Sequence, residues 1–403
     1  MADSGYTRFL RDGTWLTAQR LRVYPWILLA GYLLAAVLYV ATSHGLIDAN
    51  GKPLGPDYID VYAAGQMAQN GDAPAVYDWA KHHQAEQAVL GGRQIPYFGW
   101  HYPPLFLLIA LPLSLLPYAW SLLLYLGATL AGYAAVIWRV VKQDRSALLL
   151  ALTFPAVFVN AFHGQNGFLT TALLGGGLLL LEKRPWAAGV LLGCLAYKPQ
   201  LAALALLMPL VTMRWRVVVS AAVTIAALSL LTMEFFGVET WRAFFASATL
   251  TREQVLEAGS TGWEKIQSVF AAVRMLGGGI TLAYVAQAIV ALAAIAATIW
   301  AWRSKTPYAV QCAVLCLATP LVTPYILDYD LVLLALPIAW LGLEGREHGF
   351  LPWEITALFL LWVLPLVSRE VGSLLNIPLG PPVLILGLGL ALRRVPPALS
   401  TTY

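Results

Sequence analysis

Long apolar runs alternate with short polar breaks along this 403-residue chain, and a single polar interval, 44–118, stands out for its length. A helix crosses a bilayer with about 20 apolar residues, and roughly a dozen runs approach that length. The predicted spans are 26–43, 119–141, 146–162, 167–182, 186–198, 201–213, 217–236, 280–302, 307–324, 330–343, 351–367 and 380–392. Barrel strands alternate polar and apolar positions, so these continuous runs exclude a β-barrel. The pattern predicts an all-α polytopic membrane protein of about 12 transmembrane helices.

One apolar segment is ambiguous. The stretch 103–117, PPLFLLIALPLSLLP, is short and interrupted by Pro112. Charge decides its fate, because basic residues favour the cytoplasmic side. If 103–117 does not cross, then Lys142/Arg145, Lys183/Arg184, Arg214/Arg216, Arg303/Lys305, Arg346 and Arg393/Arg394 all face inward with both termini. The expected organisation is one membrane domain: a cytoplasmic tail 1–25 with a retained anchor, a first extracytoplasmic loop 44–118, central spans 119–236, a second loop 237–279 and C-terminal spans 280–403. The polar residues left outside are the two loops, His163 to Asn166, Lys198 to Gln200, and Tyr325 to Asp330.

Composition agrees with the membrane reading. Hydrophobic residues make up 59% and charged residues 11%, with a mean hydropathy of +0.70. Soluble chains carry about a quarter charged residues. The net charge of +4 is dispersed in short clusters between spans, which argues against a nucleic-acid partner. Cys194, Cys312 and Cys316 all lie in apolar runs, so neither a disulfide framework nor a metal site is expected.

The first loop carries Asp57, Asp60, Asp72, Asp78 and Glu86 among aromatic residues. Asp57 follows Gly55-Pro56 where an amphipathic helix begins, and the pattern leaves it open between a helix cap and a working carboxylate. Asp60 lies one turn on, shares that face and is the competing carboxylate. Lys198 interrupts an otherwise apolar stretch beside Pro199 and Gln200, and lysine at membrane depth either pairs, marks a site or snorkels. His163, Gln165 and Asn166 form a polar corner that by itself reads as a turn. Asp328 and Asp330 follow Thr323-Pro324-Tyr325 and read as the acidic first turn of a helix. What raises these above turns and caps is their convergence on one side of the membrane, where the segment Trp263 to Ser268 joins them.

Five motifs in order resemble the family 87 glycosyltransferases of the GT-C superfamily. They are D-Y-x-x-V-Y-x-A-G at 57–65, H-Y-P-P-L at 101–105, G-Q-N at 164–166, A-A-G-x-x-x-G-x-x-x-x-K-P-Q at 187–200 and T-P-Y-x-x-D-Y-D-x-x-L-L at 323–334. That family includes a polyprenyl-phosphate-mannose-dependent mannosyltransferase of phosphatidylinositol mannoside synthesis. The resemblance implies transfer of one sugar, mannose or another hexose or pentose, from a polyprenyl-phosphate donor to a lipid or glycan acceptor. It places the reaction on the outer face of the plasma (inner) membrane and the catalytic aspartate on Asp57. The sequence departs from relatives at Ile266-Gln267-Ser268, where Asn-Gln-Ser is common.

The implied chemistry needs a base for the acceptor hydroxyl and groups that hold a phosphate as its charge grows. Asp57 suits the first role, with Asp60 as the alternative. Lys198, His163, Gln165 and Tyr325 suit the second. Tyr58, His101, Tyr102, Asn166, Gln200, Gln267, Asp328 and Asp330 are expected to line the substrates. A phosphate leaving group requires neither cofactor nor metal, and a single displacement inverts the anomeric carbon. The competing reading is a polytopic transporter or lipid flippase, with Lys198, Asp328 and Asp330 along a substrate path.

Overall fold

The computed structural model describes residues 5–396, so the outermost parts of the expected N-terminal tail and C-terminal region, 1–4 and 397–403, lie outside the described residues. The described chain is helical, with isolated bridges in place of strands. Five helices among the described residues are long and apolar enough to cross a membrane: Ala18–Ala41, Tyr118–Val140, Trp215–Phe236, Ile280–Arg303 and Glu354–Leu375. Arg145–Leu152 and Pro155–His163 pass the same test together but bend by 47° at their junction. The remaining expected spans are shorter helices, including Gly167–Leu180, Pro185–Cys194, Pro199–Val211, Tyr308–Val322, Ala335–His348 and Gly380–Leu392.

Proline explains the break within the expected span 146–162 and the boundary after Lys198. Its ring removes an amide donor and disfavours helix in the preceding residue, so a run of apolar residues becomes two helices. Pro155 divides the bent pair, and Pro199 begins a new helix after Lys198, whose backbone stands at φ −125° and ψ 74°. The first predicted span begins earlier than its apolar run: Thr17 caps Ala18–Ala41 by accepting from the Arg20 amide, and Pro25 lies within the helix.

The interval 44–118 folds as a compact helical unit. It contains Tyr58–Gln69, a 3-10 turn Ala73–Tyr77, Trp79–Val89 capped by Asp78, and Leu107–Ser114. Tyr58–Gln69 buries ten of its residues. It lies so close to Leu107–Ser114 that a Cβ on Gly65 would overlap the Ala110 carbonyl and the Ser114 side chain. The segment 103–117 is therefore packing surface for the helix that begins beside Asp57.

Ion pairs gather three of the basic breaks, those at 142–145, 346 and 393–394. Lys142 pairs with Glu347 at 2.5 Å, Arg346 with Asp144 at 2.7 Å and Arg394 with Glu354 at 2.5 Å. The Trp353 amide donates to the Arg11 carbonyl at 2.7 Å, which joins the N-terminal segment to the same group. The polar corner His163–Asn166 and the first loop meet elsewhere, at the C-terminal end of Pro155–His163.

Candidate functional site

Two glycines bring the first loop to that corner. Gly55 and Gly164 stand at φ +62° and +71°, conformations that side-chain-bearing residues rarely adopt. A Cβ on Gly164 would sit 2.7 Å from the Tyr58 Cβ and 3.2 Å from the Gly55 Cα. Gly164 ends Pro155–His163 in a left-handed cap, and the freed His163 carbonyl accepts from the Asp57 amide at 2.9 Å. Backbone geometry thus fixes Asp57 against the end of a helix 106 positions away.

Asp57 occupies the N-cap position of Tyr58–Gln69 but makes no side-chain capping bond. Its half-buried carboxylate instead accepts from Gln165 Nε2 at 3.1 Å. The Gln165 amide is oriented by its other side, where Oε1 accepts from the Tyr102 hydroxyl at 3.1 Å and the Asn166 amide at 3.2 Å. Buried Asn160 holds the turn, donating to the Gln165 carbonyl at 3.0 Å and accepting from the Gly167 amide at 2.8 Å.

A cationic wall stands nearby. His163 Nδ1 lies 2.8 Å from the Val159 carbonyl, which requires that nitrogen to carry the proton and leaves Nε2 an acceptor. Arg369 Nη1 sits 3.3 Å from Nε2 and 3.6 Å from Asp328 Oδ2, with the arginine side chain 32% exposed. Lys265 is brought in by its neighbours: Ile266 bridges Leu327, and the Gln267 amide donates to the Ile326 carbonyl at 2.8 Å. Burial pushes the Lys265 ammonium down from its ordinary value, Arg369 adds to this, and Asp57, Glu264 and Asp328 oppose it. Burial likewise pushes the Asp328 carboxyl up, against His163 and Arg369. These groups therefore feel one another's charges at a common place.

Several expected residues take other positions. Lys198 is 3% exposed and its ammonium pairs with Asp330 at 2.5 Å, 5.2 Å from the Tyr329 ring centroid. Asp330 also accepts from the Leu327 amide at 3.2 Å and Asp328 from the Tyr329 amide at 2.8 Å, as an acidic first turn does. Tyr58 is fully buried, with its hydroxyl 2.6 Å from Ser121 Oγ. His101 turns to the second loop, 3.1 Å from Thr251 Oγ1. Gln200 lies half-buried in the first turn of Pro199–Val211, and Tyr325 is half-buried beside Thr323. Gln267 donates to the Glu264 carbonyl at 2.9 Å, and Ser268 caps Val269–Met275. The departure at Ile266-Gln267-Ser268 is thus a strip that pairs with 326–327 and starts a helix.

Asp60 is 3% exposed, and its carboxyl is raised well above the usual range by burial, then by Asp57 and Glu86. Arg369 and Asn160 carry no expectation in the sequence, and Lys265 carries one only as part of the segment Trp263 to Ser268. An available signal for Arg369 is a cation beyond the 351–367 run, on the side that the basic clusters avoid.

The sequence model for glycosyltransferase family 87 matches residues 100–324, more than half the chain. The chain belongs to glycosyltransferase family 87. No curated protein and no solved structure matches it. The family makes this helical protein a membrane glycosyltransferase. The matched range contains His163, Gln165 and Lys265, while Asp57 and Arg369 flank it in sequence and join it in space.

Proposed function

We propose that this family 87 transferase moves one sugar from a polyprenyl-phosphate donor to a hydroxyl of a lipid or glycan acceptor, with Asp57 as general base. The observation that carries the reading is the placement of Asp57: a half-exposed carboxylate, free of capping, oriented by Gln165 and bonded through its amide to His163, which holds Arg369. In one step the acceptor hydroxyl gives its proton to Asp57 and its oxygen bonds the anomeric carbon. The carbon–oxygen bond to phosphate breaks, and the phosphate leaves with the electron pair. Attack opposite the leaving group inverts the anomeric centre. Charge grows on the phosphate oxygens, so cations fixed in advance favour the transition state.

Arg369 and Lys265 suit the phosphate better than Lys198, with His163 holding the Arg369 guanidinium in place. Lys198 already has a carboxylate partner in a buried pair, and here it holds the Asp328–Leu334 turn behind the cations. In this reading Tyr102, Asn166 and Tyr325 line the substrates, while Gln267 braces the 263–268 strip.

In the proposed topology the chain crosses the plasma (inner) membrane about 12 times, the shorter helices crossing with the longer ones. The basic breaks then lie in the cytoplasm and the site faces outward. The ion pairs joining 142–144 to 346–347 support placing these breaks on one side. The test is transfer by purified protein in detergent, with a panel of polyprenyl-phosphate sugars and extracted envelope lipids as acceptors, read by mass spectrometry. Transfer from a lipid-linked donor that Asp57→Asn abolishes is expected. Transfer from nucleotide sugars alone would overturn the donor assignment.

A further inference from the structure

Two buried oxygens beside the base lack a hydrogen-bond partner. Asp60 lies one turn along the helix from Asp57, 3% exposed, and its Oδ1 is unpartnered. Asn166 is 1% exposed; its Nδ2 donates to the Tyr102 hydroxyl at 2.7 Å, and its Oδ1 is unpartnered. Turning the Asn166 amide over only moves the unmet need, because Nδ2 would then stand where Oδ1 stands and lack an acceptor. Tyr102 links the two places: it bonds Asn166, and its hydroxyl is pushed up by burial first and then by the Asp60 carboxyl.

Native proteins rarely leave buried polar atoms unpaired, and those that remain call for a partner outside the chain. The chemistry of that partner is constrained. Asn166 Oδ1 needs a donor, whereas the Asp60 carboxyl, which burial favours in its protonated form, can give or accept a proton, so the partner must offer groups that do both. Phosphate would add acceptors and negative charge next to Asp57 and Asp60, and a prenyl chain would leave both oxygens unsatisfied. Sugar hydroxyls fit, since each can both supply a proton and accept one.

We propose that Asp60 and Asn166 form a subsite that reads the hydroxyls of a sugar ring held beside Asp57. The proposal rests on the reading that the protein transfers a sugar, and it makes Asp60 a specificity-determining residue rather than an alternative base. The ring is either the transferred sugar or the terminal sugar of the acceptor, and the same chemistry serves both.

The experiment is a cycle between protein and substrate. Wild type and Asp60→Asn are assayed with donors lacking one ring hydroxyl each, and separately with acceptors lacking one each. Wild type should lose roughly 10- to 100-fold in kcat/KM when the hydroxyl read by Asp60 is removed. Asp60→Asn should show a similar loss with the complete substrate and almost none on removing that same hydroxyl. Coupling in the donor series assigns the transferred sugar, and coupling in the acceptor series assigns the acceptor. Independent, multiplying losses in both series mean that the orphans bind only water and overturn the proposal. If Asp60→Asn yields no folded protein, the same cycle run with Asn166→Ser decides between these outcomes. Failure of the functional reading looks different: wild type then transfers no sugar from any lipid-linked donor.

Discussion

Asp57 Oδ2 accepts a hydrogen bond from Gln165 Nε2 at 3.1 Å, although Asp57 stands where a helix cap would stand. Losing a cap costs about 1 kcal/mol of stability. Losing a general base costs about 10²–10⁴ in rate. Asp57→Asn should therefore melt close to wild type and bind donor while turning over at least about 100-fold more slowly. Thermal unfolding and single-turnover transfer separate the two effects. Normal turnover would move the base elsewhere, with Asp328 the next carboxylate to replace.

Arg369 is held between His163 Nε2 and Asp328 Oδ2, with the rest of its guanidinium available to a ligand. Arg369→Gln should lower kcat/KM for the lipid-linked donor by about 10²-fold, the scale of removing one fixed group that stabilises developing charge. Varying the acceptor concentration should give an unchanged acceptor KM. Equal damage to donor and acceptor constants would place Arg369 in a structural role.

Lys198 and Asp330 lie almost out of solvent. Lys198→Met leaves the Asp330 charge buried and alone, which should cost about 3–5 kcal/mol, and adding Asp330→Asn should recover much of it. Unfolding by heat or denaturant in detergent measures both. A Lys198→Met protein of normal stability whose donor KM rises about 10²-fold would put the ammonium on the phosphate after all.

The sequence announces what depends on local pattern. Helices lie in all the predicted apolar runs, and the acidic turn at Asp328 and Asp330 follows the expected form. The corner at His163–Asn166 reads as a turn, and it is one; its role arises because Gly164 touches Gly55, a contact that no periodicity encodes. Lys198 is legible as a buried cation but not as the partner of Asp330, since pairing depends on where the chain returns 132 positions later. Arg369 escapes the pattern for the same reason: its neighbours, His163 and Asp328, come from two other stretches. Helix bounds follow the pattern closely, and the expected span 146–162 is broken in two, at Pro155.

Glu86 is buried in the first loop, where both carboxylate oxygens lie 3.2 Å from the Phe98 amide. Burial pushes its carboxyl up to about 9, from an ordinary 4.5. A folded-state value above the unfolded one means that folding favours the protonated acid. Its contribution is therefore complete below pH 4.5 and lost as pH rises through about 9. Glu86→Gln should flatten the fall of Tm over that window and raise stability at pH 8 by on the order of 1 kcal/mol. An unchanged pH profile would mean that Glu86 is charged at neutral pH.

Cysteine replacing Lys142 or Arg184 should resist a membrane-impermeant thiol reagent added to intact cells and react once the membrane is opened. A cysteine at exposed Arg93 in the first loop should react from outside. Ready labelling of Lys142 and Arg184 positions in sealed cells would reverse the topology.

The helices that meet at Lys198 have a mechanical consequence. Pro199–Val211 has 13 residues, which at 1.5 Å per residue rise only about 20 Å, against about 30 Å of hydrocarbon. Where so short a helix faces lipid, local thinning is one way the bilayer meets it, and the polar surface then dips where the helix ends. If the donor is the prenyl lipid proposed above, its headgroup would ride downward along that depression without leaving the leaflet. Recruitment would then be a matter of membrane shape before any side chain is touched.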